Sequence, residues 1–447
     1  MLSRAHLVLG TVAAAVTLSL AVLSPGWMLA PVLAQSLNDR NCTGKPDIPD
    51  DQQILGCSDA IKSGSFAGKD LAAAFSNRGR AYRGKGDFDH ALADYDQAIA
   101  VDPGSAISFY GRGVAYFYKK NNDHAIDDFT KSVALDPDDA AAYNGRGNAY
   151  AAKGDLDRAM ADVDAAIRLD PKAAYAFNSR GVAYQAKGDV DHAIADYGEA
   201  IRLDPAYATA LSNRGGAYQI KGDSDRAIAD YDAAIRIDPN YARAYDSRGS
   251  AFGNKGDQDR AIADYDSAIR LDPGLAHAYA NRGSAYTRKM DYDHAISDLD
   301  QAIRLDPGSA QSWYNRGVLY SVKKDFDRAI ADYDQVIRLQ PRFPIALNNR
   351  GLAYMAKNEP DRALADYNEA IRLNPRFSVA FNNRGTSFVQ KKDYARAIAD
   401  YTEALRLDPD YAAALFRRGV ARRLNGDMAG GDADVVAAKK IDPDLVE

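Results

Sequence analysis

The chain has 447 residues but only two cysteines, six histidines and two tryptophans, and these scarcities limit its chemistry before any motif is considered. With Cys42 and Cys57 alone, a disulfide-dense framework and a multi-cysteine metal centre are excluded. A surplus charge is also missing. Fifty-six Lys and Arg face 62 Asp and Glu, a net charge of −6, which creates no field able to draw in a phosphate backbone, so nucleic acid is not an expected partner. Beyond one apolar run at 7–23 there is no second stretch that could span a bilayer. Phosphate loops and nucleophile elbows are absent too. Gly111-Arg112-Gly113 runs on into Val114-Ala115-Tyr116 within a helical pattern, and no Ser, His and Asp set stands out from its background. Neither an enzyme nor a cofactor is expected.

Residues 1–34 differ in composition from the rest. Arg4 and His6 precede the apolar run, then come Ser24-Pro25-Gly26 and a small-residue site ending in Val32-Leu33-Ala34. This is the pattern of a secretory signal peptide cleaved before Gln35; an uncleaved anchor is the alternative reading. Both cysteines follow at once, in 35–71. In an oxidising compartment they pair as a disulfide across about 15 residues, worth about 3 kcal/mol by loop closure.

From residue 72 the chain is periodic. Arg78-Gly79 returns every 34 residues as far as Arg418-Gly419, in eleven units (72–105, 106–139, 140–173 and onward in equal steps to 412–445) without insertion or deletion. Each unit carries two apolar blocks at helical spacing, Phe75, Gly79 and Tyr82, then Ala91, Tyr95 and Ala98, so two helices per unit are predicted. Between them Lys85-Gly86-Asp87 supplies a left-handed glycine and a helix cap, with Asp89 complementing the dipole. Asp102-Pro103 and its repeats close the second helix. The expected fold is all-α, one elongated stack in which each unit buries its apolar surface against its neighbours.

Phe75, Gly79, Tyr82, Ala91, Tyr95, Ala98 and Pro103, and in the eighth unit Trp313, Gly317, Tyr320, Ala329 and Tyr333, resemble the tetratricopeptide repeat. The resemblance implies a right-handed superhelical solenoid of helix pairs. It also implies that first helices line a concave groove. The groove contacts so implied are Tyr110, Phe117, Tyr118, Asn178, Gln185, Gln219, Tyr314, Asn348, Leu352, Met355, Asn382 and Phe416, a set suited to an extended peptide or a partner helix. Some of these positions could instead contact the neighbouring repeat. Arg80 and Arg83 suggest the basic set with which some members hold a terminal carboxylate, but its matching Asn and Lys are not reproduced.

One departure from the family is systematic. Arg replaces the usual Leu before the Gly, and every second helix carries an Asp sixteen residues later: Arg78 and Asp94, Arg112 and Asp128, Arg214 and Asp230, Arg248 and Asp264 among them. Both flank the packed stripe of their helix, which predicts a ladder of partly buried ion pairs setting the stacking register; a row of arginines for anions is the alternative. Asp87 with Asp89 lacks the further ligands of a calcium loop and reads as capping. His90, His124, His192 and His294 share a position held by Arg elsewhere, such as Arg158, and read as exposed polar residues rather than metal ligands.

The ends differ from the middle. In the last unit Arg422 and Gly431 replace an aromatic and an alanine, which predicts a loosened, polar terminal cap. Cys57-Ser58-Asp59-Ala60-Ile61 echoes Tyr95-Asp96-Gln97-Ala98-Ile99, half a unit pinned by the cysteine pair. The functional expectation is an exported, periplasmic or secreted interaction scaffold, soluble once its signal is removed. A self-assembling or bridging component of envelope or secretion machinery is the other reading. The partner is a protein or peptide, and nothing in the sequence settles the oligomeric state.

Overall fold

The computed structural model describes residues 42, 48–64 and 66–445, so the signal sequence expected at 1–34 lies outside the described residues. Among these residues there are 23 helices and no strand. The chain forms two compact units, Met1–Pro239 and Asn240–Glu447. The first holds a single helix, Asp50–Ser63, and five helix hairpins, from Gly68–Gly84 with Phe88–Val101 to Ala208–Ile220 with Ser224–Ile237. The second holds six hairpins, from Ala242–Asn254 with Gln258–Leu271 to Ala412–Leu424 with Met428–Ile441.

Each hairpin closes because Gly79 and its equivalents carry no Cβ. A methyl at Gly79 would sit 3.2 Å from the Ala91 carbonyl oxygen, and one at Gly351 only 2.7 Å from the Tyr367 ring. Helices at this separation leave room for alanine alone in the facing row, and Ala91, Ala125, Ala193, Ala227 and Ala261 are fully buried. Larger rings fill the space toward the next hairpin: Tyr197, Tyr231, Tyr333, Tyr367 and Tyr401 are almost without exposure. Within each unit the second helix of one hairpin packs on the first helix of the next. Successive first helices also touch one another, whereas successive second helices do not, which makes the first-helix face the concave side of each unit.

The turn within a hairpin is the same everywhere, but its residue is not. Gly86, Gly154, Gly188, Gly222, Gly256 and Gly426 adopt positive φ, whereas Lys120, Met290, Lys324, Asn358 and Lys392 hold the same left-handed conformation with side chains attached. In all hairpins but the one with Glu359 the next residue caps the second helix, as Asp87 does by accepting from the His90 backbone N–H and Asp155 from that of Arg158.

Candidate functional site: a fixed seam and a variable face

The arginine before each packing glycine reaches across its hairpin and grips an aspartate with two parallel bonds. Arg78 Nε donates to Asp94 at 2.8 Å and its Nη2 at 2.7 Å. Arg112 does the same to Asp128, Arg214 to Asp230 and Arg248 to Asp264. These carboxylates are 5–7% exposed. The remaining nitrogen turns to the preceding hairpin, where Arg282 Nη1 donates to Asp266 at 2.5 Å and Arg316 Nη1 to Asp300 at 2.6 Å. One guanidinium therefore ties two helices of its own hairpin and one of the hairpin before. The fork holds the Arg112 and Arg180 guanidiniums above their ordinary value, so these groups stay charged and self-neutralised.

A second tie runs along the turns. Lys119 pairs with Asp89 of the hairpin before, Lys153 with Asp123, Lys221 with Asp191 and Lys323 with Asp293. Asp89 thus has a lysine partner that the dipole argument does not reveal. The histidine position also does more than face water. Its occupant covers the first-helix aromatic: His90 stacks on Tyr82 at 5.0 Å, and Arg328 lies 4.3 Å over Tyr320. Among the described residues no group of three metal-binding side chains forms.

The N-terminal helix takes up the seam with a shifted register. Arg78 Nη1 donates to Ser58, and Lys85 pairs with Asp51, each four residues further away in sequence than in a complete junction. Cys42 and Cys57 are bonded, with Cα atoms 4.6 Å apart, and both are buried against Ala74. At the other end Gly431 tightens rather than loosens the hairpin, since a Cβ there would sit 2.7 Å from the Gly419 carbonyl. The polarity of that cap comes from exposed Asp432 and Lys439, which stand where Ile398 and Leu405 pack in the hairpin before.

On the concave side most of the twelve expected contacts are taken up inside the protein, some by the neighbouring hairpin and some by their own. Asn178 is 3% exposed and accepts from Asn213 Nδ2 at 2.9 Å. Gln185 and Gln219 receive the hydroxyls of Tyr197 and Tyr231. Tyr314, Asn348 and Asn382 belong to one chain of bonds: Asn349 donates to Tyr314, Asn348 to Asn349, Asn383 to Asn348 and Asn382 to Asn383, leaving Asn382 Oδ1 buried without a partner. Met355 accepts from Ser387 Oγ at 3.0 Å, and Phe416 packs with Leu415 and Tyr411. Tyr118 stacks on Phe88 at 5.4 Å; Tyr110 and Phe117 lie half-buried around Phe129, and burial pushes the Tyr110 phenol up to about 12. Leu352 alone of the twelve is exposed, at 45%, and Val182 at the equivalent position is exposed as well. The amides of this face serve one another because the 35-residue offset brings adjacent first helices into bonding range, a consequence of packing that periodicity by itself does not display.

Family models described as tetratricopeptide repeat match residues 276–309, 310–343 and 344–377, then 76–139 and 178–242, and also 129–161; one described as TPR repeat matches 147–188, 249–290 and 385–426. No curated protein matches the chain. Among solved structures it is similar to MamA, with 30% identity over 36% of this chain and 95% of that one and a TM-score of 0.35. It is similar also to yeast Tom70, with 16% identity, 83% and 92% covered, and a TM-score of 0.38. A tetratricopeptide repeat protein from Parabacteroides merdae shares 20% identity over 56% and 98% of the two chains, with a TM-score of 0.41. With helix pairs repeating about every 34 residues and family matches along its length, this chain belongs to the tetratricopeptide repeat family, all-α solenoids that act as protein-protein interaction scaffolds.

Proposed function

We propose that the protein is an exported scaffold that holds an extended peptide or partner helix along its first-helix face. One observation carries this reading: a row of that face that meets solvent changes from hairpin to hairpin while the seam beside it does not. Four residues after each packing glycine stand Arg83, Phe117, Ala151, Gln185, Gln219, Gly253, Thr287, Ser321, Met355, Val389 and Arg423, and all but Gly253 are partly exposed. Sixteen residues after each seam arginine stands aspartate, eleven times out of eleven. A surface kept only for packing has no cause to change at one row while the seam beside it stays fixed.

Export rests on the signal pattern of 1–34, taken with the bonded cysteine pair, which belongs to an oxidising compartment. We assign 35–71 to a cap and 72–445 to the repeats. Self-assembly end to end is disfavoured by Asp432 and Lys439, because stacking another hairpin there would bury both charges. Photocrosslinkers at Val182 and Leu352 on the concave side, with Ala433 on the last second helix as the control, test the reading. Capture of one partner from the first two positions supports it. Equal capture from all three, or of the chain itself alone, removes it.

A further inference from the structure

Two neighbouring loops of the second unit have lost a negative charge that the other loops keep. The loop after a second helix usually opens on Asp-Pro, and the aspartate closes the turn: Asp306 accepts from the Gly308 backbone N–H at 3.1 Å, and Asp272 from that of Gly274 at 3.0 Å. In the next two loops an amide stands there instead, in Gln340-Pro341-Arg342 and Asn374-Pro375-Arg376. Asn374 Oδ1 still accepts from the Arg376 backbone N–H, at 3.1 Å. The seam makes the same exchange at Asn368, which stands where Asp300 and Asp334 do and still receives Arg384 Nη1 at 2.7 Å. At Asn374 and Asn368 the bond is kept and only the charge is gone, so neither turn formation nor stacking accounts for the amide.

The arginines beside these amides are left without acids. Arg342 and Arg376 occupy the place of Gly274 and Gly308, are exposed, and have no carboxylate partner among the described residues. Arg338, one turn before Arg342, donates to the neutral Gln335, and Arg372 is paired with Glu369. Asp334 is taken by Arg350. In the two preceding loops Arg270 and Arg304 each stand with an aspartate, Asp272 and Asp306, and the following loop carries Asp408 and Asp410. The result is a positive patch two loops wide with acids on both sides, in a chain of net charge −6.

We propose that loops 340–343 and 374–377 form a docking site for an acidic segment of a partner protein. The width of the patch selects this occupant. A planar anionic lipid surface broad enough to cover Arg342 and Arg376 would also meet Asp306 on one side and Asp408 and Asp410 on the other, and those acids oppose it. A single strand or helix covers two loops without reaching the next, and its carboxylates can take both exposed guanidiniums in charge-assisted bonds. The patch lies on the loops between hairpins, so it stands whether or not the first-helix face holds a peptide.

The test is fluorescence anisotropy of two labelled peptides, Glu-Glu-Leu-Glu-Glu-Leu and Gln-Gln-Leu-Gln-Gln-Leu, titrated with the full chain at constant ionic strength. The acidic peptide should bind saturably and the Gln peptide should not. Gln340→Asp, Arg342→Gly, Asn374→Asp and Arg376→Gly together rebuild two copies of Asp306-Pro307-Gly308, so the melt should match the parent while affinity falls about ten-fold. Asp306→Asn with Gly308→Arg copies the patch onto a third loop and should tighten binding several-fold, a gain that a folding defect cannot produce. Equal binding of the Gln peptide, or affinity unchanged in the quadruple variant, would overturn the site. Phosphatidylglycerol vesicles bound more tightly than the acidic peptide, and released in the quadruple variant, would overturn its assignment to a protein segment. A concentration-dependent dimer that the quadruple variant lacks would overturn it in favour of a second copy of this chain.

Discussion

The two faces of each hairpin bond in opposite styles. On the seam every arginine meets the same partner in the same geometry, charge against charge, in hairpin after hairpin. On the concave side the bonds are mostly neutral and change in kind along the array: an amide to an amide at Asn178, a hydroxyl to an amide at Gln219, an amide to a carboxylate at Asp246, a hydroxyl to a sulfur at Met355. The contrast shows how a repeat array can vary its surface without losing register. Register is carried by charge-assisted forks that allow one geometry, which leaves the other face free to change residue by residue.

The strongest way to break the comparison is to remove one carboxylate from the seam. Asp332→Ala leaves Arg316, whose side chain is 16% exposed, with Asp300 alone and should cost about 3 kcal/mol in a denaturant melt. Asp230→Ala should cost less, about 2 kcal/mol, because Arg214 is 24% exposed and water can reach it. Equal melts for both variants and the parent would show that the forks do not set the register.

The converse substitution on the concave side is Leu352→Asp. With Leu352 already 45% exposed, stability should change by no more than about 0.5 kcal/mol. Binding of the partner captured at that position should fall about ten-fold, some 1.4 kcal/mol. A melt shifted as far as that of Asp332→Ala would mean that this face is structural too.

Sequence reasoning reached the seam because both members of each pair recur at a fixed offset of sixteen, and a period of 34 with two apolar blocks permits little besides stacked helix pairs. It did not reach the Lys119 and Asp89 tie, where the partners lie on different hairpins 30 residues apart and each had an adequate local explanation. It also treated the histidine row as polar surface, because a cation resting on Tyr82 or Tyr320 shows itself only when the turn folds back. The concave amides were the least legible. Whether Asn348 faces a ligand or Asn383 depends on how closely adjacent first helices approach, and that is a property of packing.

Each face has an unfilled partner within reach of one substitution, so repairing one on each compares the two kinds of bond directly. Arg214 Nη1 points toward Gly198, where other junctions carry Asp266 or Asp300, and a Cβ there would lie 3.8 Å away. Gly198→Asp should add about 1 kcal/mol, from the new bond and from removing a helical glycine. On the concave side the Tyr367 hydroxyl is buried without a partner because Met355 stands where Gln185 and Gln219 serve Tyr197 and Tyr231. Met355→Gln should likewise add about 1 kcal/mol. If the register is set by charge, only Gly198→Asp should lose part of its gain in high salt.

The smallest effect lies in the turns that join the faces. Lys324 holds φ at 61° where Gly222 and Gly256 hold the same conformation without a side chain to crowd the backbone. Lys324→Gly relieves that crowding but frees the unfolded chain, and the balance should favour the folded state by about 0.5 kcal/mol. Lys324 is exposed and its neighbour Lys323 supplies the tie to Asp293, so the tie should survive the change. The seam and the concave side should then melt as before, slightly higher. A loss of stability instead would place Lys324 in a contact of its own and make the turn a third region of the comparison.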